Sequence, residues 1–292
     1  MFRDDLLKGK RYLVTGGGTG LGRVMSERLL ELGAEVAICG RRRQVLEDAA
    51  AEMSEKTGGR VTAHQVDIRV AEAVDEMVGE IWQGGPLDGL LNNAAGNFIS
   101  RTEDLSPRGF DAIANIVLHG TFYVTSACGR RWIAEGRPGN VLSILTTWVW
   151  TGSPFVVPSA MSKSGVKAMT QSLAVEWGPK NIRLNAIAPG PFPTEGAWKR
   201  LRPQGSSEVR SDMTHRIPLR RVGKMSELSN LAVFLLSDES GYITGEVVNI
   251  DGGQWLVSAG GFADLWALDD AQWHSIRDTI KAANEQDKSR RG

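Results

Sequence analysis

Thr15-Gly16-Gly17-Gly18-Thr19-Gly20-Leu21-Gly22 is the stretch that decides the fold. The apolar run Arg11–Thr15 feeds directly into it, and a helical pattern follows over Gly20–Leu32. Glycines between a buried strand and a helix let the backbone approach a pyrophosphate. The helix N-terminus then supplies free N–H groups and the positive end of its dipole. Gly16, Gly18, Thr19, Gly20, Leu21 and Gly22 are therefore the candidate dinucleotide contacts. Their spacing is Gly16, Gly20, Gly22 rather than the commoner GxGxxG. A plain glycine-rich turn is the competing reading, and the flanking strand and helix argue against it.

Working outward, short apolar runs alternate with helical patterns. Arg11–Thr15, Glu35–Cys39, Val61–Gln65, Leu87–Leu91, Asn140–Leu145, Arg183–Ala188 and Val247–Ile250 read as buried strands. Gly20–Leu32, Val45–Lys56, Ala71–Trp82, Phe110–Ala134, Ser159–Trp177 and Ser226–Ser237 read as helices. This alternation predicts an α/β fold, a single Rossmann-type doubly wound parallel sheet with helices on both faces. No repeat or low-complexity linker divides residues 1–292. Residues 189–221, rich in Pro, Gly and Arg, follow a strand where a substrate loop would lie. Residues 256–292 form a tail in which Trp273, Ile276 and Ile280 recur at helical spacing, read as a packing or oligomer arm.

Composition narrows the function classes. Lys+Arg and Asp+Glu balance at 34 each, so no global field recruits nucleic acid or a membrane surface. The 41% hydrophobic content suits a soluble chain with a full core. Cys39 and Cys128 lack a CxxC or His partner and read as small buried hydrophobes. His64 and His215 lack ligand spacing, so no metal is expected. Met1–Lys10 carries charges and no apolar h-region, and no apolar run reaches spanning length. A cytoplasmic location is the expectation.

The end of the second strand selects the cofactor. Enzymes using NAD place an acid there for the ribose hydroxyls. Here the strand ends Ala37-Ile38-Cys39-Gly40 and runs into Arg41-Arg42-Arg43. Guanidinium groups match a phosphate bidentately, so NADP(H) is favoured, with Arg41 and Arg42 as its candidate contacts. One of the three arginines is then a solvated turn residue.

Further segments carry a family resemblance. The glycine loop resembles the TGxxxGxG of the short-chain dehydrogenase/reductases. Asn92-Asn93-Ala94-Ala95-Gly96 is similar to their NNAG. Asn181-Ile182-Arg183-Leu184-Asn185-Ala186-Ile187-Ala188-Pro189-Gly190 resembles their sixth strand and PG turn, and Asp251-Gly252-Gly253 their closing motif. The resemblance implies a seven-stranded parallel sheet and a homotetramer. A narrower likeness runs nearly end to end. Ala95-Gly96-Asn97-Phe98-Ile99-Ser100, Ser143-Ile144-Leu145-Thr146-Thr147, Gly152–Ala160, Pro189-Gly190-Pro191 and the tail around Gly261–Leu265 and Gln272-Trp273 resemble the 2,4-dienoyl-CoA reductases of fatty-acid β-oxidation, mitochondrial type. The substrate implied is a small molecule, an unsaturated acyl-CoA thioester.

The usual short-chain dehydrogenase site places Tyr-x-x-x-Lys on one helix face. This chain has Ser159-Ala160-Met161-Ser162-Lys163, with Lys163 at the lysine position and Ser159 at the tyrosine position. A serine hydroxyl donates a hydrogen bond but is a poor acid near neutral pH, so ordinary ketone reduction is disfavoured. Dienoyl-CoA reductases share this change. The resemblance implies an asparagine and a tyrosine that hold the thioester oxygen as negative charge gathers on it. The asparagine falls on Asn97. The tyrosine falls on Trp148, the sharpest departure from the family, since indole has one N–H donor and no practical acidity.

Tyr12 and Tyr242 read as structural and Tyr123 as a packing residue. Thr146, Thr147, Ser159 or a bound water stand as alternatives for the proton donor. Walling of an apolar acyl pocket by Trp148 and Trp150 is as strong a reading as direct catalysis.

The resemblance also places Asp67, Asn93, Lys163, Pro189, Gly190 and Phe192 at the cofactor. It puts Arg69, Phe98, Ser106, Trp148 and Arg200 at the substrate, with Arg69 and Arg200 on the CoA moiety. His119 reads as a packing or surface histidine. Two other functions stay open: a short-chain dehydrogenase/reductase for another bulky carbonyl or alcohol, and a weakly catalytic NADP-binding protein.

Overall fold

The computed structural model describes residues 2–194, 213–257 and 263–291. The chain divides into two compact units, Met1–Gln254 and Trp255–Gly292. The boundary falls beside the tail read as starting at 256.

The first unit is a seven-stranded, all-parallel sheet in the order β3-β2-β1-β4-β5-β6-β7. Its strands are β1 (Arg11–Thr15), β2 (Glu35–Gly40), β3 (Val61–Gln65), β4 (Gly89–Asn92), β5 (Gly139–Ile144), β6 (Ile182–Pro189) and β7 (Val247–Ile250). Side chains alternate between two cores because successive Cβ atoms point to opposite faces. Tyr12 and Val14 join Met25, Leu29, Leu46 and Leu228 on one face. Leu13 joins Val74, Val78, Val124 and Trp132 on the other. The first face is covered by α1 (Gly20–Glu31), α2 (Arg43–Thr57) and a late helix, Met225–Leu236. The second is covered by α3 (Ala71–Gln83), α5 (Thr121–Ala134) and α7 (Val157–Trp177).

The long helix predicted over Phe110–Ala134 starts earlier and is not uniform. It comprises α4 (Pro107–Ala114), a π-helical turn Asn115–Gly120, and α5. Pro107 at the first position and the Ser106 hydroxyl, which accepts from Gly109 N at 3.1 Å, explain the earlier start. Gly120 closes the π-helical turn against Ile68, whose side chain would lie 2.7 Å from a Cβ there. A short helix, α6 (Trp148–Thr151), lies after β5 where only connecting chain was expected.

The strand order reverses between β1 and β4, the switch point of a doubly wound sheet, where ligands bind beyond the strand C-termini. The glycine loop, Arg41, Asp67 and Asn93 all follow strand ends on that edge. The second unit contains a 3-10 turn, Ala263–Ala267, and a helix, Asp270–Arg291, which includes the predicted Trp273, Ile276, Ile280 stripe. Among the described residues no helix is long and apolar enough to cross a membrane.

Candidate active site

A cavity of about 760 Å³ opens at the switch point, within the range of small-molecule sites. Gly16, Gly18, Thr19, Gly20 and Leu21 line it, with Arg41, Arg42, Asp67, Asn93, Asn97 and Ser159. Eleven of the residues singled out from sequence therefore line one cavity.

The loop's glycines are dictated by backbone and by space. Gly16 and Gly20 have φ of 66° and 56°, left-handed values that side chains disfavour. A Cβ on Gly22 would lie 2.5 Å from the Gly16 carbonyl oxygen. Gly22 thus shapes the loop from behind rather than facing the cavity. Thr15 and Asn93 lace this loop to the chain after β4. The Thr15 hydroxyl accepts from Asn93 N and Ala94 N, both at 3.0 Å, and Asn93 Nδ2 donates to Thr15 O at 3.0 Å. The N-cap of α1, Thr19, makes no side-chain cap bond, and the first turn holds no acid. The free N–H groups there suit an anion.

At the adenosine end the three arginines separate. Arg43 bonds Glu47 at 2.9 Å, one helical turn away. Arg41 and Arg42 line the cavity and make no ion pair among the described residues. All three are exposed, and Arg43 is the one engaged by a neighbouring carboxylate. Gln65 Nε2 donates to Arg41 O at 3.1 Å and steadies the turn. Asp67 is gripped by Arg69, whose Nε lies 2.9 Å from both carboxylate oxygens. Hydrogen bonding from Arg69 holds the Asp67 carboxyl below the usual carboxylate range. A dinucleotide fits these residues: a cradle that side chains would fill, an open helix N-terminus and two guanidiniums with no ion pair among the described residues.

At the other end, Ser159 and Lys163 lie one turn apart near the start of α7, and both are buried. Lys163 Nζ donates to Ile144 O at the end of β5. Burial pulls its pKa down to about 8. Asn97 Oδ1 accepts from Phe98 N at 2.9 Å. With that oxygen occupied, the Nδ2 amide is the end of Asn97 left to donate.

Several predicted residues sit elsewhere. Gly190 packs on Asp251, whose Cβ would lie 2.6 Å from a Cβ at 190. The Phe192 ring belongs to the core, against Gly223, rather than to the cofactor cavity. Pro189 closes β6 in register with Ile250. Thr194, missed in the sequence, lines the cavity instead and lies 3.7 Å from a Cβ placed on Gly20. The Ser106 hydroxyl caps α4, and the Phe98 ring approaches Gly109. Trp148 is half-buried at the head of α6 and does not line the cofactor cavity.

Trp150 lies on α6 and is half-buried. Its side chain packs against the cluster of Leu145, Val166, Ala186, Ala188 and Val247, and Lys167 Nζ lies 5.2 Å from the ring centroid. Tyr12 is structural as expected, donating to Leu236 O, whereas Tyr242 is fully exposed and packs nothing. Cys39 and Cys128 are buried free thiols, and burial pushes both up to about 12. Arg200 lies outside the described residues, as does most of the 189–221 loop.

Comparison with known proteins agrees with this geometry. The family model described as enoyl-(acyl carrier protein) reductase matches residues 16–254. A Caenorhabditis elegans protein named "Probable 2,4-dienoyl-CoA reductase 3", (3E)-enoyl-CoA-producing, is 40% identical, over 99% of this chain and 94% of its own. A Bacillus subtilis protein named "Probable 2,4-dienoyl-CoA reductase", (2E)-enoyl-CoA-producing, is 42% identical, over 85% of this chain and 97% of its own. A short chain dehydrogenase structure from Bacillus anthracis superimposes with a TM-score of 0.75 at 42% identity, covering 84% of this chain and 96% of that one. The chain belongs to the short-chain dehydrogenase/reductase family, as an oxidoreductase whose relatives include proteins named 2,4-dienoyl-CoA reductases.

Proposed function

We propose that this protein reduces 2,4-dienoyl-CoA, or a related unsaturated acyl-CoA thioester, with NADPH. The observation that carries this reading is the presence of Asn97 and Ser159 in the lining of one cavity, with Lys163 one turn beyond Ser159. The site offers hydrogen-bond donors but no phenol. Carbonyl reduction needs an acid at the oxygen. Reduction across a conjugated diene needs the oxygen held while charge resides on it, and a proton delivered later to carbon.

When bound, the nicotinamide supplies a hydride for the distal end of the diene. Asn97 Nδ2 donates to the thioester oxygen and stabilises the dienolate charge. Ser159 adds a second donor from the helix start. Lys163, buried one turn beyond Ser159, would hold the nicotinamide ribose. Trp148 contributes an indole N–H or an apolar wall. The proton reaches carbon from water or from a hydroxyl of Thr146 or Thr147. Arg41 and Arg42 hold the 2′-phosphate, which favours NADPH over NADH. Arg69 and Arg200 serve the CoA phosphates, and Phe98 and Ser106 the acyl thioester. We further propose a cytoplasmic location and, separately, a homotetramer, the second reading supported by the exposed Phe122 on α5 and Val175 on α7.

The test is a substrate panel with purified protein, followed as loss of reduced cofactor. Dienoyl-CoAs are expected to turn over with NADPH at least about tenfold better than with NADH, and simple ketones not at all. Reduction of ketones with no turnover of any dienoyl-CoA would overturn the proposal.

A further inference from the structure

Two loops frame the site, and a hydrogen bond joins them. Ser100 N, three residues after Asn97, donates to Phe155 O at 2.9 Å, and Phe155 lies four residues before Ser159. Each loop presents a large apolar side chain to solvent at this junction. Ile99 is 37% exposed and Phe155 is 54% exposed. Phe155 also has φ of 66°, in the left-handed region, where a bulky aromatic residue is a true outlier. Such a conformation persists where the surroundings impose it, and it concentrates at functional sites. Here core burial is not what holds it, because over half of the residue is in solvent.

From this geometry we infer that Ile99 and Phe155 form an apolar sill for the part of the acyl chain beyond the reacting double bonds. The inference rests on the thioester reading above and names the substrate class within it: longer acyl chains, over shorter ones. A short dienoyl chain ends before it reaches the sill. A longer one covers Ile99 and Phe155, and its own methylenes leave water in the same contact. Full burial of a methylene is worth about fourfold in an equilibrium, so the half-burial available on an open sill gives about twofold per carbon.

The experiment compares kcat/KM for 2,4-dienoyl-CoAs of six to sixteen carbons with NADPH, below their micelle concentrations. The expected result is a rise of about twofold per added carbon until the sill is covered. Phe155→Gly keeps the backbone, since glycine accepts φ of 66°, and so folds with an unchanged or higher Tm. It is expected to lower the twelve-carbon to six-carbon ratio at least about fivefold, and Ile99→Ser to act in the same direction. Met161→Ser alters an equally exposed side chain two residues past Ser159, on another face of α7, and should leave the ratio as in the parent. A flat chain-length profile overturns the inference while leaving the thioester reading intact. So does an unchanged ratio in Phe155→Gly, or an equal loss in Met161→Ser. No turnover at any length overturns the thioester reading, and this inference with it.

Discussion

Lys163 shows how one side chain can be recognised in sequence while its state depends on burial. Its place four residues after Ser159 marks it as the helix-face lysine. The fold then encloses it and sets its Nζ on Ile144 O. Burial lowers its folded-state pKa to about 8, against about 10.4 in an unfolded chain. Between those values the unfolded chain binds more protons, so stability rises with pH across that window. Below pH 8 both states are protonated, and the cost of the buried charge is present in full. In cofactor-free protein, the parent is therefore expected to gain on Lys163→Met by up to roughly 3 kcal/mol between pH 7 and pH 11, read by denaturant unfolding. A pH-independent difference would mean that Lys163 titrates as a solvated lysine. Trp148 is the converse case. Its identity was legible as the departure from the family tyrosine, but its half-buried place at the head of α6 was not. The turn Trp148–Thr151 has no periodic signal long enough to read.

At the scale of elements, the strand–loop–helix unit from Arg11 to Glu31 was legible almost residue for residue. Its determinants are local: an apolar run, positive-φ glycines and a helical period. Gly22 tests how tightly the unit is built. In an open helix, alanine would be favoured over glycine by about 0.8–1 kcal/mol. Here the added Cβ meets the Gly16 carbonyl oxygen at 2.5 Å, and backbone must move. Overpacking of this kind costs about 1–3 kcal/mol and outweighs the propensity gain. Gly22→Ala is expected to lower stability and to weaken NADPH binding at least about tenfold in a fluorescence titration. Unchanged affinity would detach the shape of the loop from its ligand. The helix over Pro107–Ala134 was legible in its end at Ala134 but not in its start or its winding. Its π-helical turn ends at Gly120, which packs closely on Ile68 of another segment.

For the whole molecule, the division at Gln254 invites a direct trial. The Bacillus subtilis relative matches 85% of this chain while spanning 97% of its own length. The family match ends at residue 254. A chain ending at Val257 is expected to keep its circular dichroism spectrum and its NADPH affinity within about threefold, with any loss confined to assembly measured by sedimentation. Unfolding of the shortened chain would show that the body depends on residues 258–292 for its own core.

The sequence by itself determined the sheet, the glycine cradle, the missing acid at the end of β2 and the serine in place of the helix tyrosine. Each of these is written in residues a few positions apart, whose spacing follows the strand or helix period. Only the tertiary structure decided which candidates meet. It separated Arg41 and Arg42, on the cavity, from Arg43, engaged with Glu47. It put Thr194 over Gly20 while the Phe192 ring turned into the core. It also tied the Asn97 loop to Phe155. These meetings join residues that are distant in the chain. Their partners are chosen by sheet register and by the packing of helices across it, which no local pattern encodes.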